Sequence, residues 1–301
     1  VTGKEAPMRD EEATEIFLGH RELLFSIVYN LLGSVADTED VLQETWLSWN
    51  RRLRKASGAE IENPRAYLVR IAVNQALSRQ TAISRRKETY VGTWLPEPLV
   101  TEADDRVESV SMALLVVMET LSPLERAVFV LHEVFGYQHT EIAGILGRTP
   151  SAVRQLAHRA HEHVQARRPR YTADPRVQQA ATERFVAALF GADLEELLKV
   201  LAPEVTLWTD GGGKATAAGL HPVYGRERVA RVLANIAANR TFPAVEIRFR
   251  RVNGDPSALL FAGEAPFAAI VVDLTPDGDH VQDIYAVTNP DKLSGVPVRP
   301  D

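Results

Sequence analysis

Apolar positions between Ile16 and Leu77 recur at steps of three and four. Ile16, Leu23, Leu24, Ile27, Val28, Leu31 and Leu32 make one such stripe, the mark of an amphipathic helix. Gly33 closes that helix, and Asp37 is placed to cap a second one running from Thr38 to about Arg54. Lys55 to Asn63 reads as loop. Asn63-Pro64 then opens a third helix, because Asn caps well and Pro fits the first helical position. Its apolar positions are Tyr67, Leu68, Ile71, Ala72 and Leu77, and its far end is basic. Tyr90 to Glu108 breaks the pattern. Gly92, Pro96 and Pro98 do not suit a helix interior, and Trp94 to Leu99 reads as a stiff extended linker with apolar anchors, which docks on something.

Helix resumes over Val107–Thr120, and Ser122 caps the next with Glu125 at the capping-box position. Phe135-Gly136-Tyr137 ends it. A short helix over Thr140–Leu146 follows, then Gly147, then a helix with Thr149 as cap and Pro150 at its first position, extending to about Ala166. Arg167 to Pro175 reads as a domain boundary. Beyond it come two helical stretches, Val177–Phe190 and Asp193–Leu201, a strand at Val205–Trp208, and a helix from Gly225 to about Ala238. Val245–Val252, Ala258–Phe261, Phe267–Leu274 and Val281–Val287 are strand-like and separated by tight-turn sequences. They predict antiparallel strands packed with helices in an α+β domain.

A length of 301 residues with 45% hydrophobic and 25% charged positions makes this a multidomain folded chain and argues against global disorder. Zero cysteines exclude disulfides, thiolate catalysis and Cys-ligated metal sites. No apolar run reaches the length of a membrane span and Val1–Asp10 has no signal-peptide core, so the expectation is a soluble, cytoplasmic protein without membrane contact. The net charge of −6 hides a segregation: Arg51–Tyr90 holds ten Lys/Arg against three acids, and Arg148–Arg170 six arginines against one Glu. Such faces suit a polyanion, though solvated helix surfaces have the same look.

Thr140 to Val164 carries more information than charge. Ile142, Ala143 and Leu146 pack a short helix, and Val153, Leu156, Ala157, Ala160 and Val164 fall on one face of the next. Ser151, Arg154, Gln155, His158 and Arg159 fall on the other. That is the layout of a helix-turn-helix, whose second helix enters the major groove; the alternative is a plain αα-hairpin. Arg and Gln can read base edges, and Arg148 at the turn suits a phosphate.

The segment "LSPLERAVFVLHEVFGYQHTEIAGILGRTPSAVRQLAHRAHEHV" (Leu121–Val164) resembles domain four of bacterial sigma factors of the extracytoplasmic-function class. "DTEDVLQETWLSWNRR" (Asp37–Arg52) and "NPRAYLVRIAVNQALSRQ" (Asn63–Gln80) resemble their domain two. The last third resembles the cone-shaped α+β SnoaL-like domain fused to certain members, with "YVGTWLPEPL" (Tyr90–Leu99), "DGGGK" (Asp210–Lys214) and "NPDKL" (Asn289–Leu293). The fold class expected is therefore two all-α sigma domains followed by an α+β cone. The boundaries read are 1–89 for domain two, 90–108 for the linker, 109–170 for domain four and 176–295 for the SnoaL-like domain.

The resemblance implies a promoter-specificity subunit whose partners are RNA polymerase core (the β′ clamp helices and the β subunit) and promoter DNA. Asp37, Glu39, Asp40, Gln43, Glu44 and Trp46 would bind core, an acidic exposed face beside Trp46 and Trp49 suiting a basic helix. Asn74 and Ser78 would contact −10 bases, with Arg70, Arg79, Arg85, Arg86 and Lys87 on the backbone; Asn74 could equally cross-link helices. Arg148, Ser151, Arg154, Gln155, His158 and Arg159 would meet the −35 element, His158 being also a plain exposed histidine. Trp94, Leu95 and Pro96 with Asp210, Gly211, Gly212, Gly213 and Lys214, and with Asn289, Pro290, Asp291, Lys292 and Leu293, would form regulatory contacts.

SnoaL-like folds include enzymes, and Asp210, His221, Asp273 and Asp283 are available for proton transfer. No nucleophile–base pair and no metal-ligand spacing stands out, so neither catalysis nor a cofactor is expected. The glycine loop could cradle an anion, or simply need glycine dihedrals. A small-molecule ligand for the cone stays open. Two other readings remain: a ligand-sensing helix-turn-helix regulator, which leaves the domain-two motif idle, and an enzyme with a DNA-binding region.

Overall fold

The computed structural model describes residues 6–55, 61–101, 110–167, 174–215, 219–238 and 245–297. They fall into two units. The first gathers Val1–Arg85, Arg106–Ser109 and Met118–Ala166; the second gathers Arg86–Asp105, Val110–Val117 and Arg167–Asp301.

Three helices open the first unit: α1 (Ala6–Leu32), α2 (Val35–Lys55) and α3 (Pro64–Glu88). Their shared core is the expected stripe, Leu24, Ile27, Val28 and Leu31 of α1, with Val41, Leu42 and Trp49 of α2 and Leu68, Ala72 and Val73 of α3. Buried polar groups fix the pairing. Thr45 Oγ1 donates to Gln75 Oε1 at 2.7 Å, and Gln80 Nε2 donates to the Leu31 carbonyl at 2.8 Å. Asn63 caps α3 as expected, accepting from Ala66 N at 2.9 Å. The cap of α2 differs from the sequence reading. Ser34 Oγ accepts from Asp37 N at 3.2 Å, so the helix begins at Val35 and Asp37 sits in its first turn, where a carboxylate complements the helix dipole. Of the loop read at Lys55–Asn63, residues 56–60 lie outside the described residues.

The same unit contains α5 (Pro123–Phe129), a π-helical turn (Val130–Val134), α6 (His139–Leu146) and α7 (Pro150–Arg167). Ser122 and Glu125 form the expected capping box. α6 begins one residue earlier than read, at His139; Gln138 caps it, with Glu141 completing a second box. Gly147 ends α6 at φ 62°, the left-handed turn that sets α7 against it. Arg126 of α5 is buried. Its Nε donates to the Asn30 carbonyl of α1 at 3.0 Å and its Nη1 to Glu119 Oε1 at 2.8 Å, tying α5 to α1.

The second unit is built on a seven-stranded sheet: β1 (Val100–Thr101), β2 (Leu201–Asp210), β3 (Val223–Tyr224), β4 (Val245–Val252), β5 (Asp255–Ala262), β6 (Ala265–Leu274) and β7 (Val281–Val287). Their order is β1-β4-β5-β6-β7-β2-β3. The pairs are antiparallel except β2–β7, which is parallel. The four strands from Val245 to Val287 are antiparallel as their sequence predicts; β2 lies parallel to β7, with a helix and four strands intervening, which leaves room for a crossover.

One face of the sheet is covered by α8 (Pro175–Phe190), α9 (Leu194–Val200) and α10 (Arg226–Ala238), which bury Leu207, Leu260 and Ile270 against Phe185, Leu197 and Leu233. The other face is covered by pieces distant in sequence. Leu95 of the linker, Met112 and Ala113 of α4 (Met112–Met118), and Leu293 and Val296 pack on Leu259, Phe261, Val271 and Tyr285. β1 adds the linker to the sheet edge, Val100 opposite Val252 and Thr101 opposite Arg251. The segment read as a separate linker is thus grouped with the C-terminal sheet, as is Val110–Val117, which the sequence reading gave to domain four. Burial of Leu95 and Met112 on an apolar sheet face is the physical reason. The helix read at Val107–Thr120 is described only over Met112–Met118, and 107–109 lie outside the described residues, as do 168–173 of the boundary read at Arg167–Pro175.

Candidate nucleic-acid interface and linker latch

Residues expected to bind polymerase lie on α2, but not all face outward. Glu39, Asp40, Gln43 and Glu44 are exposed; Asp37 is buried, and Trp46 is half-buried against Phe17, ring centroids 5.4 Å apart. Trp49, read as lying beside that face, is a core residue with its Nε1 donating to the Ala13 carbonyl at 3.0 Å. Leu47 of α2 and Leu18 of α1, 51% and 58% exposed, are large apolar side chains at the surface.

Arg79 joins this acidic surface. Its Nε donates to Asp37 Oδ1 at 3.0 Å, its Nη2 pairs with Asp40, and its Nη1 lies 3.5 Å from Glu44 Oε1. Partial burial works against the charged form, yet the hydrogen bond and charge of Asp37, with Asp40 and Glu44, hold the guanidinium above its ordinary pKa. Arg70 and Arg85 are exposed on α3.

Arg70, Asn74, Ser78 and Arg79 line an open cavity of about 650 Å³ with Tyr67 and Glu44. Asn74 Nδ2 donates to the Arg70 carbonyl at 2.7 Å and to the Ile145 carbonyl, at the end of α6, at 3.1 Å. The amide therefore cross-links α3 to the helix-turn-helix here. Lys87 lies apart from this group, its Nζ 5.3 Å from the Trp94 ring centroid, and both it and Arg86 are grouped with the second unit.

On α7 the expected sorting of faces is present. Val153, Ala160 and Val164 are buried; Ser151, Arg154, Gln155, His158 and Arg159 are exposed, as is Arg148 at the turn. Arg159 Nε bonds Glu125 Oε1 at 3.0 Å and His158 lies 3.5 Å from Glu162. Burial, with His132 and Arg154 nearby, pushes the His139 imidazole below its ordinary pKa and favours its neutral form beside the recognition helix.

In the second unit, all three motifs of the expected regulatory group converge on Asp210, which is fully buried at the end of β2. Its Oδ1 accepts from the Tyr90 hydroxyl, and its Oδ2 from Leu95 N at 2.8 Å and Lys292 Nζ at 2.7 Å. Lys292 Nζ also donates to the Leu95 carbonyl at 2.5 Å and sits 3.6 Å over the Trp94 ring centroid. Asn289 caps the short helix α11 (Pro290–Leu293) and donates from Nδ2 to the Tyr90 hydroxyl at 2.7 Å. Lys214 pairs with Asp291 at 2.5 Å on the surface. Gly212 has φ 59°, and a Cβ there would lie 2.5 Å from Asn289 Nδ2, which is why this loop takes glycine. Linker, loop and tail thus form one latch. Tyr90 was not singled out from sequence as a contact, since an aromatic at a linker edge gives no sign of a carboxylate partner 120 residues away.

Of the residues considered for proton transfer, Asp210 has both oxygens engaged in the latch. Asp283 accepts from Trp208 Nε1 at 3.1 Å and is paired in register with Asp273, and His221 is exposed.

Comparison with known proteins matches the sequence family "Sigma-70 region 2" at residues 16–87 and "Sigma-70, region 4" at 111–164. The "ECF RNA polymerase sigma factor SigJ" of Mycobacterium tuberculosis (strain ATCC 25618 / H37Rv) is 33% identical over 296 residues, covering 93% of this chain and 92% of that protein. The chain belongs to the ECF RNA polymerase sigma factors. The "Probable ECF RNA polymerase sigma factor SigI" of M. tuberculosis (strain CDC 1551 / Oshkosh) is 30% identical, covering 91% of this chain and 92% of its own. The crystal structure of the M. tuberculosis extracytoplasmic function sigma factor SigJ superposes with a TM-score of 0.74 at 31% identity, covering 95% of this chain and all of that one. Two sigma regions followed by an α+β domain is accordingly the fold class of this sigma factor. No helix among its described residues is long and apolar enough to cross a membrane.

Two measurements on this sigma factor follow from the geometry. Arg154→Ala should change preference among −35 sequences by about 1–3 kcal/mol, whereas Arg148→Ala should weaken all DNA alike and flatten the salt slope. Equal losses on specific and scrambled DNA for both variants would remove the assignment. The second concerns Tyr90, whose phenol is pushed well above its ordinary value of 10.0 by burial and by the Asp210 carboxylate. The folded latch keeps a proton that the unfolded chain gives up, so its contribution is complete below pH about 10 and is lost as pH rises above that toward the folded value. Tyr90→Phe should cost about 1.5–3 kcal/mol at neutral pH and reduce this alkaline loss. Urea titrations at pH 7 to 11 would show it; an unchanged pH profile would contradict it.

Proposed function

We propose that this sigma factor joins RNA polymerase core and directs it to promoters. In this reading the outward side of α2 (Glu39, Asp40, Gln43, Glu44, Leu47) meets the β′ clamp helices. α3 takes the −10 element as it melts, and α7 takes the −35 element. The observation that carries the reading is the pairing of an acidic, partly apolar α2 surface with an exposed Arg154-Gln155 recognition face in one sigma-family chain. Transcription by core with and without the chain, on candidate promoters, tests it. Core retention supplies the finer test. Asp40→Lys with Glu44→Lys should abolish retention, but it also disrupts Arg79, so Arg79→Ala is the necessary companion and should retain core. Loss in both variants alike would point to a folding effect and against the docking surface.

The α+β domain is assigned a regulatory, non-catalytic role in cis, acting through the latch and through a small molecule held in its cavity. Support comes from Asp210: a carboxylate buried at 0% exposure and satisfied by the linker and the tail is placed to hold the linker, not to move protons. Asp210→Ala should alter transcription while leaving −35 binding by the chain intact. Transcription unchanged by this variant would remove the regulatory role.

A further inference from the structure

Between the helical layer and the sheet of the second unit lies a cavity of about 360 Å³, within the size range of small-molecule sites. Its walls are apolar: Leu189 of α8, Leu207 of β2, Leu233 and Ile236 of α10, and Leu260 and Ile270 of the sheet. No carboxylate and no histidine line it among the described residues. Lys214 is the charged side chain that reaches it, and Lys214 is already neutralised by Asp291 at 2.5 Å. A charged ligand would leave water for an apolar enclosure without an available counter-ion, so the lining selects for an uncharged one.

The remaining polar groups define the ligand further. Thr209 Oγ1 donates to the Gly219 carbonyl at 3.2 Å and accepts from Gly219 N at 2.9 Å. Thr288 Oγ1 donates to the Asp210 carbonyl at 3.2 Å. Both hydroxyl protons are committed to backbone, which leaves lone pairs as what these threonines can offer. Hydrogen-bond acceptors in an otherwise apolar cavity call for a ligand that brings a donor. The geometry points to a site for a neutral, compact, mainly apolar molecule carrying a hydroxyl group, such as a fused-ring alcohol or phenol, with that hydroxyl donating to Thr288 or Thr209. This names the ligand class for the regulatory reading above and rests on it for its biological use. The site is wired to the latch by covalent neighbours: Thr209 precedes Asp210, Leu293 follows Lys292, and Thr288 N and Oγ1 both bond the Asp210 carbonyl. A ligand on Thr288 therefore acts on the strand end that presents the latch carboxylate.

Calorimetric titration of the full chain with 2-naphthol, 2-methoxynaphthalene and 2-naphthoate tests the class. 2-Naphthol should bind at least threefold more tightly than the methoxy ether, which lacks the donor, and more tightly than the anion. Thr209→Val with Thr288→Val should erase the difference between naphthol and ether while leaving ether binding unchanged, an outcome that a general packing defect would not produce. Ile236→Trp, which fills the cavity from a half-buried position, should abolish both, with circular dichroism melts confirming that it folds. Absence of naphthol and ether binding at millimolar concentration, or tighter binding of naphthoate, would overturn the proposal. Transcription with 2-naphthol present separates the two layers: binding with the expected preference but no change in transcription leaves the ligand class standing and removes the regulatory reading.

Discussion

Asp210→Ala is expected to destabilise the second unit by about 3–5 kcal/mol and to open the linker to protease. The carboxylate is fully buried and receives Tyr90, Leu95 N and Lys292. Its removal takes the carboxylate partner from the Lys292 ammonium, 8% exposed and set against two aromatic rings. Breaking one half of a buried ion pair costs more than replacing both halves, so Asp210→Ala with Lys292→Met should recover part of the loss. Urea denaturation would give the free energies, and tryptic cleavage after Arg86 or Lys87 would follow release of the linker. Melting and cleavage like those of the parent chain would show that the latch is not what holds the segment.

Arg126→Ala should have a comparable effect in the first unit, about 3 kcal/mol. The side chain is 4% exposed, donates to the Asn30 carbonyl and to Glu119, and joins α5 to α1. Arg126→Met keeps the aliphatic stem and should lose less, and pairing it with Glu119→Gln should lose less again, because no unpaired charge remains. A loss below about 1 kcal/mol for the alanine variant would mean that water replaces the guanidinium freely at this junction.

Elements governed by local rules were legible in the sequence. Asn63-Pro64, the Ser122–Glu125 box and Gly147 mark helix ends because a cap acts within a turn of the residues it serves. Strands β4 and β7 have the bounds read from their alternation. What was not legible turns on a choice between two comparable local signals or on partners far along the chain. Ser34 displaced Asp37 as the α2 cap through a single side-chain hydrogen bond, a choice between two good cap residues three positions apart. The ion pairs of Arg79 were hidden because periodicity cannot show Asp37, Asp40 and Glu44 closing on it from another helix. In the candidate latch, the motifs were visible but Tyr90 and the sheet face that receives Leu95 were not, since both require the strand order, and the parallel β2–β7 pair, to be known.

The latch also imposes a timetable on synthesis. Leu95 and Lys292 are separated by 197 residues, and translation at about 5–20 residues per second puts roughly 10–40 s between them. Within that interval α4 to α7 are complete by Arg167, before any of the strands β4 to β7 that bury Leu95 and Met112 has been made. Every copy of the protein therefore passes through a nascent stage with its linker uncovered, and codon usage across residues 174–292 would set how long that stage lasts.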